Sequence, residues 1–312
     1  MISIIVPCKN RFDQLCKCLD SIYSSIDCMA NALNDVSTEV IVVNDHSEDG
    51  FRDKIIKKYQ NCLVIDSDGY GPGYARNLGI KRSHGEYLFF TDSDCIVDRS
   101  WIINGYNTCL KENSIVIQGI PWLFQKKDNP INGKYEEMLY EIMFSRYISK
   151  THTIMTDSRN LLFKRTIVDY IGDEVFSEKI DKATAESRVF GKRCLEAGIK
   201  VYFAYDVKVF HEDPVDMKAV CYQKYRHGSG RVLIWEVKQD FDFLKMRYFT
   251  TPINSGLPVD YILPAHASFL LGFYNNIEDT GERRKFTIFL ESVFSMYGKS
   301  FSDYSELDEY IL

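Results

Sequence analysis

Two aspartates separated by one small residue, Asp92 and Asp94, close the run GEYLFFTDSD from Gly85 to Asp94. Tyr87 to Phe90 read as a buried strand, and the carboxyl end of such a strand is where open α/β sheets hold their ligands. D-x-D alone is a weak signal, since most such triplets are surface turns. Ending so apolar a run in two charges, however, calls for a counterion. Hard oxygen donors suit Mg2+ or Mn2+, which bind through one or two carboxylates together with substrate phosphates. The pair therefore points to a cation and a bound diphosphate.

Three other segments deliver polar groups to the same place. The first apolar run ends in Pro7-Cys8-Lys9-Asn10-Arg11 and the second in Asn44-Asp45-His46-Ser47, so both reach one sheet edge, and a nucleotide fits across them. Asp45 is placed to accept hydrogen bonds from a base or ribose, or else to cap the helix that follows. In GYGPGYARNLG, Gly69 to Gly79, glycines before a helix start let the backbone approach a ligand. Arg76 then lies in the first turns of that helix, within reach of a phosphate or of the aspartate pair. Short glycine patterns also recur by chance, and a solvated arginine is the competing interpretation.

The elements that must position these groups follow from hydrophobic period. Ser3 to Pro7, Val40 to Val43, Cys62 to Ile65 and Tyr87 to Phe90 are apolar strand runs. Between them Phe12 to Ile22, Phe51 to Tyr59 and a segment from about Gly73 repeat at helical spacing. That alternation predicts an α/β fold, a mostly parallel sheet with helices on both faces. Farther along, Trp101 to Leu110 and Tyr135 to Ile148 read as helices and Ile115 to Gln118 as a short strand. Glu186 to Ala197 reads as a helix stopped by Gly198, with the strand Lys200 to Ala204 after it. Pro214 to about Lys238 reads as a long helix broken at Gly228 and Gly230.

Taken together, SIIVPCKNR, IVVNDHSEDG, GPGYARNLGI and GEYLFFTDSD, in this order and at these intervals, resemble the nucleotide-binding half of the inverting family-2 glycosyltransferases. The resemblance is strong over residues 1 to about 105. It implies a Rossmann-like GT-A fold and transfer of a sugar, with inversion, from a nucleotide-diphospho-sugar, most often a UDP-sugar, with a divalent ion. It implies that Pro7, Asn10 and Asp45 line the nucleoside pocket with Arg11 and Arg76 beside it, that Asp92 meets the ribose or diphosphate, and that Asp94 holds the metal. Lys9 stands where the family often has an aromatic or small residue.

The likeness thins beyond. Ser158 to Arg165 resembles the strand and turn on the acceptor side, and Ala183 to Gly198 the acidic helix start, where the family has a Glu-Asp pair whose Asp is the base. This chain has Glu186-Ser187 there. An acceptor hydroxyl needs one carboxylate to take its proton. Glu186 is the candidate, with Asp181 and Glu178 as substitutes and a helix-capping role as the alternative. His211 in VFHED resembles a further metal ligand, and Arg226 and Arg231 resemble a cluster laid over the leaving diphosphate; a structural histidine and a basic helix face are the competing interpretations. The implied architecture is residues 1–105 as the nucleotide-sugar half, 106–235 as the acceptor half and 236–312 as a helical C-terminal extension.

Composition narrows the classes. In 312 residues, 38 Lys and Arg face 44 Asp and Glu, a net charge of −6 that argues against nucleic-acid partners. Nine cysteines without regular spacing fit reduced thiols in a cytoplasmic protein rather than a disulfide framework. No run reaches the ~20 apolar residues of a membrane span. Tyr261 to Tyr274 is read as core, as a homodimer contact or as a peripheral contact on the inner face of the membrane, in falling order. The expected partners are a nucleotide-sugar donor and a carbohydrate acceptor, or a peptide or lipid-linked one, in polysaccharide or cell-envelope synthesis. A catalytically silent nucleotide-sugar binding module and a nucleotidyltransferase are the rival functions.

Overall fold

The computed structural model describes residues 1–33, 35–48, 50–124, 152–153, 156–178, 186–212, 216–231, 259–295, 298 and 300. Two compact units divide the chain, one of residues 1–124 and 144–212, the other of residues 125–143 and 213–312.

In the first unit, strands β1 (Ile2–Cys8), β2 (Thr38–Asp45), β3 (Cys62–Ser67) and β4 (Tyr87–Phe90) are joined by helices α1 (Phe12–Ala30), α2 (Phe51–Lys58) and α3 (Pro72–Arg82). All four strands pair in parallel, in the order β3-β2-β1-β4. Alternate residues of each strand face opposite sides, so continuous apolar runs build two cores. Ile4, Val6, Val42 and Phe89 pack on one face with Leu15, Leu19, Ile55 and Trp101. Ile5, Val43, Leu88 and Phe90 pack on the other with Ala75, Ile80, Phe163, Phe176 and Phe190. A sheet covered on both faces has its polar outlet at the strand ends. Cys8 lies in register with Asn44, and Asp45 with Ser67, so these ends share one edge.

The sheet continues with antiparallel partners. β8 (Leu161–Lys164) runs against β4, and β6 (Val116–Phe124) against β8. β9 (Val201–Glu212) is parallel to β6, while β5 (Cys95–Val97) and β7 (His152–Thr153) run against β9. Helices α4 (Trp101–Lys111), α5 (Ile167–Ile171) and α6 (Glu186–Glu196) complete the unit. The strand expected over Lys200 to Ala204 and the run before His211 in VFHED form the single strand β9, with a bulge between them. The cysteines are free thiols, buried except for the half-buried Cys28.

In the second unit, α7 (Met217–Arg231), α8 (Val259–Asn275) and α9 (Thr280–Ser295) are helical. The break expected at Gly228 and Gly230 is absent: α7 continues to Arg231. Gly228 instead permits close helix packing, since a Cβ there would meet Phe269 O of α8 at 1.9 Å, and Gly272 faces Tyr225 O in the same way. The apolar run from Tyr261 is α8, with Leu263, Ala267, Leu270 and Phe273 buried, so it serves as core. Among the described residues no helix is long and apolar enough to cross a membrane. The helix expected over Tyr135 to Ile148 lies outside the described residues.

Gly228→Ala should therefore destabilise the protein by about 2 kcal/mol or more through overpacking, read as a lower urea midpoint. An unchanged midpoint would mean that the two helices separate at no cost.

Candidate functional site

Arg76 organises the sheet edge. Pro72 at the first position of α3 fixes the helix start, after Gly71 at φ 95°. Arg76 then falls on the buried side one turn later. Its side chain is only 2% exposed and sits between two carboxylates: Nη2 donates to Asp92 Oδ1 at 2.6 Å and Nη1 to Glu186 Oε1 at 2.8 Å. The guanidinium also lies 5.5 Å from the centre of the Phe176 ring. Burial works against its charge, but Asp92 and then Glu186 outweigh that and push its pKa up. Glu186 opens α6 and is itself buried; its Oε2 has no hydrogen-bond partner.

The segment carrying Phe176 is clamped to α3. Asn77 donates to Phe176 O and to Glu178 Oε1, both at 2.8 Å, and accepts from Phe176 N at 2.9 Å. Gly73 faces Ser177 O so closely that a Cβ would sit 2.3 Å away. Glu178 is thus engaged in holding the loop, while Asp181 lies outside the described residues.

Asp94 forms a second charged centre. Arg11, half exposed, pairs with its Oδ2, and His211 Nε2 stands 3.6 Å from the same oxygen. Pairing of Cys95 with His211 across β5 and β9 brings the histidine there. Burial opposes ionisation of Asp94, yet His211, then Arg11 and Arg159, hold its pKa well below the ordinary carboxylate value. Arg159 is gripped by Asp157, Nη2 to Oδ2 at 2.6 Å. Asp157 is likewise depressed: burial raises its pKa and the charge of Arg159 more than reverses this.

The nucleoside-side residues lie at the ends of β1 and β2. Pro7 pairs with Val43. Asn10 adopts a left-handed conformation, φ 56°, which aims its backbone N–H at Ser47 Oγ (2.9 Å) and its Oδ1 at Glu48 N (2.8 Å). Asp45 is buried and accepts from Ser67 Oγ at 2.6 Å. The structure thus brings Pro7, Asn10, Arg11, Asp45, Arg76, Asp92, Asp94, Glu186 and His211 into one unit. Arg226, stacked 5.9 Å from the Tyr222 ring, and Arg231 belong to α7 of the other unit.

Ser67, Asp157 and Arg159 were not singled out from sequence. Ser67 was discoverable, because it ends the third strand in the register of Asp45. Nothing in the spacing of Asp157 and Arg159 ties them to Asp94.

A divalent ion fits the Asp94 centre. A carboxylate oxygen and an imidazole nitrogen converge there, and His211 Nδ1 is buried without a hydrogen-bond partner. Asp94 and His211 would be its two protein ligands, with the other positions left to phosphates and water. Among the described residues no group of three or more His, Cys, Asp or Glu side chains could hold a metal by itself. Arg11 occupies the same oxygen and, being half exposed, can turn away to a phosphate.

Comparison with known proteins bears on the family and the fold. A family model described as Glycosyl transferase family 2 matches residues 3–171. Glycosyltransferase AglE of Haloferax volcanii is 24% identical over 238 residues, covering 75% of this chain and 74% of that protein. The poly(ribitol-phosphate) beta-glucosyltransferase of Bacillus spizizenii is 32% identical over 143 residues, 41% of this chain and 22% of the relative, so the chain matches less than a quarter of that relative's length. Among solved structures, S. aureus TarS 1–349 in complex with UDP-GlcNAc aligns with TM-score 0.55 at 16% identity, covering 99% of this chain and 90% of that one. Mannosyltransferase PcManGT of Pyrobaculum calidifontis, in complex with GDP-Man and Mn2+, aligns with TM-score 0.52 at 14% identity, covering 99% and 84%. At such identities these two likenesses concern the fold, which is the GT-A arrangement the motifs led one to expect.

Arg76→Met strands Glu186 as a buried, unpaired charge and should cost roughly 3–5 kcal/mol in urea unfolding. Adding Glu186→Leu should recover most of it; no recovery would show that the two side chains are not coupled. Asp94 and Asp157 are both depressed, so the stability they confer is present above the ordinary carboxylate value and lost as pH falls through the native-state values. The urea midpoint should decline below about pH 4, and Asp157→Asn should flatten that decline; an equally steep acid limb in the variant would refute the assignment.

Proposed function

Because the chain belongs to glycosyl transferase family 2, matched over residues 3–171, we propose that it transfers a sugar from a nucleoside diphosphate, a UDP-sugar, to an acceptor hydroxyl with inversion. The observation that carries this reading is the meeting of Asp45, Asp92 and Asp94 with Arg11 and Arg76 along one strand-end edge. UDP-GlcNAc bound to a protein of the same fold supports the donor class. Relatives named as poly(ribitol-phosphate) glycosyltransferases support a role in cell-envelope glycan synthesis.

Asp45, held by Ser67 between the ends of β2 and β3, receives the nucleoside, with Pro7 and Asn10 forming the adjoining wall. Asp92, fixed by Arg76, meets the ribose or diphosphate. Asp94 and His211 would hold Mn2+ or Mg2+, an ion that when bound offsets charge on the departing diphosphate. Arg11 is the arginine paired with that centre and neutralises the same phosphates once released from Asp94. The acceptor oxygen bonds to the anomeric carbon as the bond to the diphosphate oxygen breaks on the opposite face, and its proton passes to Glu186. Arg76 fixes one oxygen of that carboxylate and leaves Oε2 to take the proton.

One observation favours a second reading. Ser187 stands where the family has its aspartate, and Glu186 is already paired with Arg76, which fits a nucleotide-sugar binding module without turnover.

Calorimetry with a panel of UDP-sugars, with and without Mn2+, and a donor-hydrolysis and transfer assay separate the two. Asp94→Ala should weaken metal-dependent binding by about 2 kcal/mol or more. Glu186→Gln should keep donor affinity and lower kcat by roughly 10²–10⁴. Tight binding with no turnover on any acceptor would establish the binding module, and no nucleotide-sugar binding would overturn both.

A further inference from the structure

Away from the strand-end edge, the beginning of β9 carries a feature that donor chemistry does not use. Gly119 pairs with Ala204 and the next residue, Ile120, with Lys208, so Tyr205, Asp206 and Val207 have no opposite residue on β6. Bulges of this kind re-aim side chains and recur at functional sites. This one is held in place by two amides: Asn104 Nδ2 donates to Asp206 O at 2.8 Å, and Asn160 Nδ2 to Val207 O at 2.9 Å. Its product is Tyr205, turned outward and 58% exposed, with its ring braced edge-on by Phe203 at 4.6 Å and 90°.

Beside the bulge, between α4 and β9, lies a groove of about 650 Å³ lined by Asn104, Asn107, Tyr202, Tyr205 and Asp206 among others. Its charged members are Lys111, Glu112 and Asp206, one positive and two negative, and Lys111 pairs with Glu112 at 3.5 Å. A rigid aromatic face suits the C–H side of a sugar ring, and planar amides and carboxylates around it suit the ring's hydroxyls. The charge is wrong for a phosphate-rich or sulfated polymer. Beyond the bulge, Lys208 to His211 is three residues of regular strand, about 10 Å at the usual rise, so the groove lies along β9 from the Asp94 centre.

We propose that this groove binds an uncharged oligosaccharide, a stretch of the growing or acceptor glycan remote from the transferred sugar. The acceptor assignment rests on the glycosyltransferase reading above; the groove's chemistry does not. Binding here raises the local concentration of a long acceptor at the strand-end site without touching the reacting atoms.

The test is calorimetric titration of the full chain with two neutral hexasaccharides, chitohexaose and laminarihexaose, and with a heparin hexasaccharide as the anionic arm, on wild type, Tyr205→Ala and Asn107→Ala. Both side chains are exposed, so the variants retain the fold. At least one neutral hexasaccharide should bind, and Tyr205→Ala should weaken it by about tenfold, the loss of one aromatic contact. The panel of UDP-sugars, titrated alongside, should bind all three proteins equally. No neutral hexasaccharide binding, binding unaffected by either substitution, or Tyr205-dependent binding of the heparin fragment alone would each overturn the proposal. Failure of UDP-sugars to bind the wild type would instead count against the donor reading, and the groove would still stand or fall on its hexasaccharides.

Discussion

A guanidinium deprived of water must have carboxylates, and the strand-end edge of this protein is arranged around that requirement. Arg76 reaches its place because Gly71 and Pro72 start α3 close against the sheet. Once buried it draws in Asp92 from the end of β4 and Glu186 from the start of α6. One oxygen on each acid is thereby fixed in space, and the ion cluster couples the end of β4 to the start of α6. Each of the three groups would be costly to bury alone. The cluster therefore exists only when helix, strand and α6 are assembled together.

Beside it, Asp94 solves the same problem differently. Its partners are a half-exposed arginine and a histidine on the neighbouring strand, with the charge of Arg159 farther off. The arginine of the first centre is buried and that of the second is half exposed, so the second counterion is the one that solvent reaches.

Strands β1 to β4 were legible because each is a short apolar run that ends in polar residues, and the sheet needs both of its faces covered. The carboxylates Asp45, Asp92 and Asp94 were legible for the same reason, as charges at strand ends. What stayed hidden depends on long-range pairing. Arg76 meets Glu186 across 110 residues of sequence and Arg11 meets Asp94 across 83, and neither spacing carries a periodic signal. The three-residue bulge in β9 was legible only as a gap between two strand runs, because no Gly or Pro marks Tyr205 to Val207. Gly228 was read as a helix breaker because intrinsic propensity speaks first, whereas here the absent side chain serves the approach of α8.

The antiparallel pairing of β4 with β8 has a consequence for how the chain is made. Tyr87 to Phe90, the most apolar strand edge of the sheet, can dock on β1 as soon as the first ninety or so residues have emerged, but its other partner begins at Leu161. At synthesis rates of roughly 5–20 residues per second, the intervening 70 residues leave that edge open for about 4–14 s. An unpaired run of four buried aromatic and aliphatic residues is a template for association with other chains. The nascent protein therefore passes through a window in which a ribosome-associated chaperone, or slow collision at low expression, decides between the native sheet and aggregation.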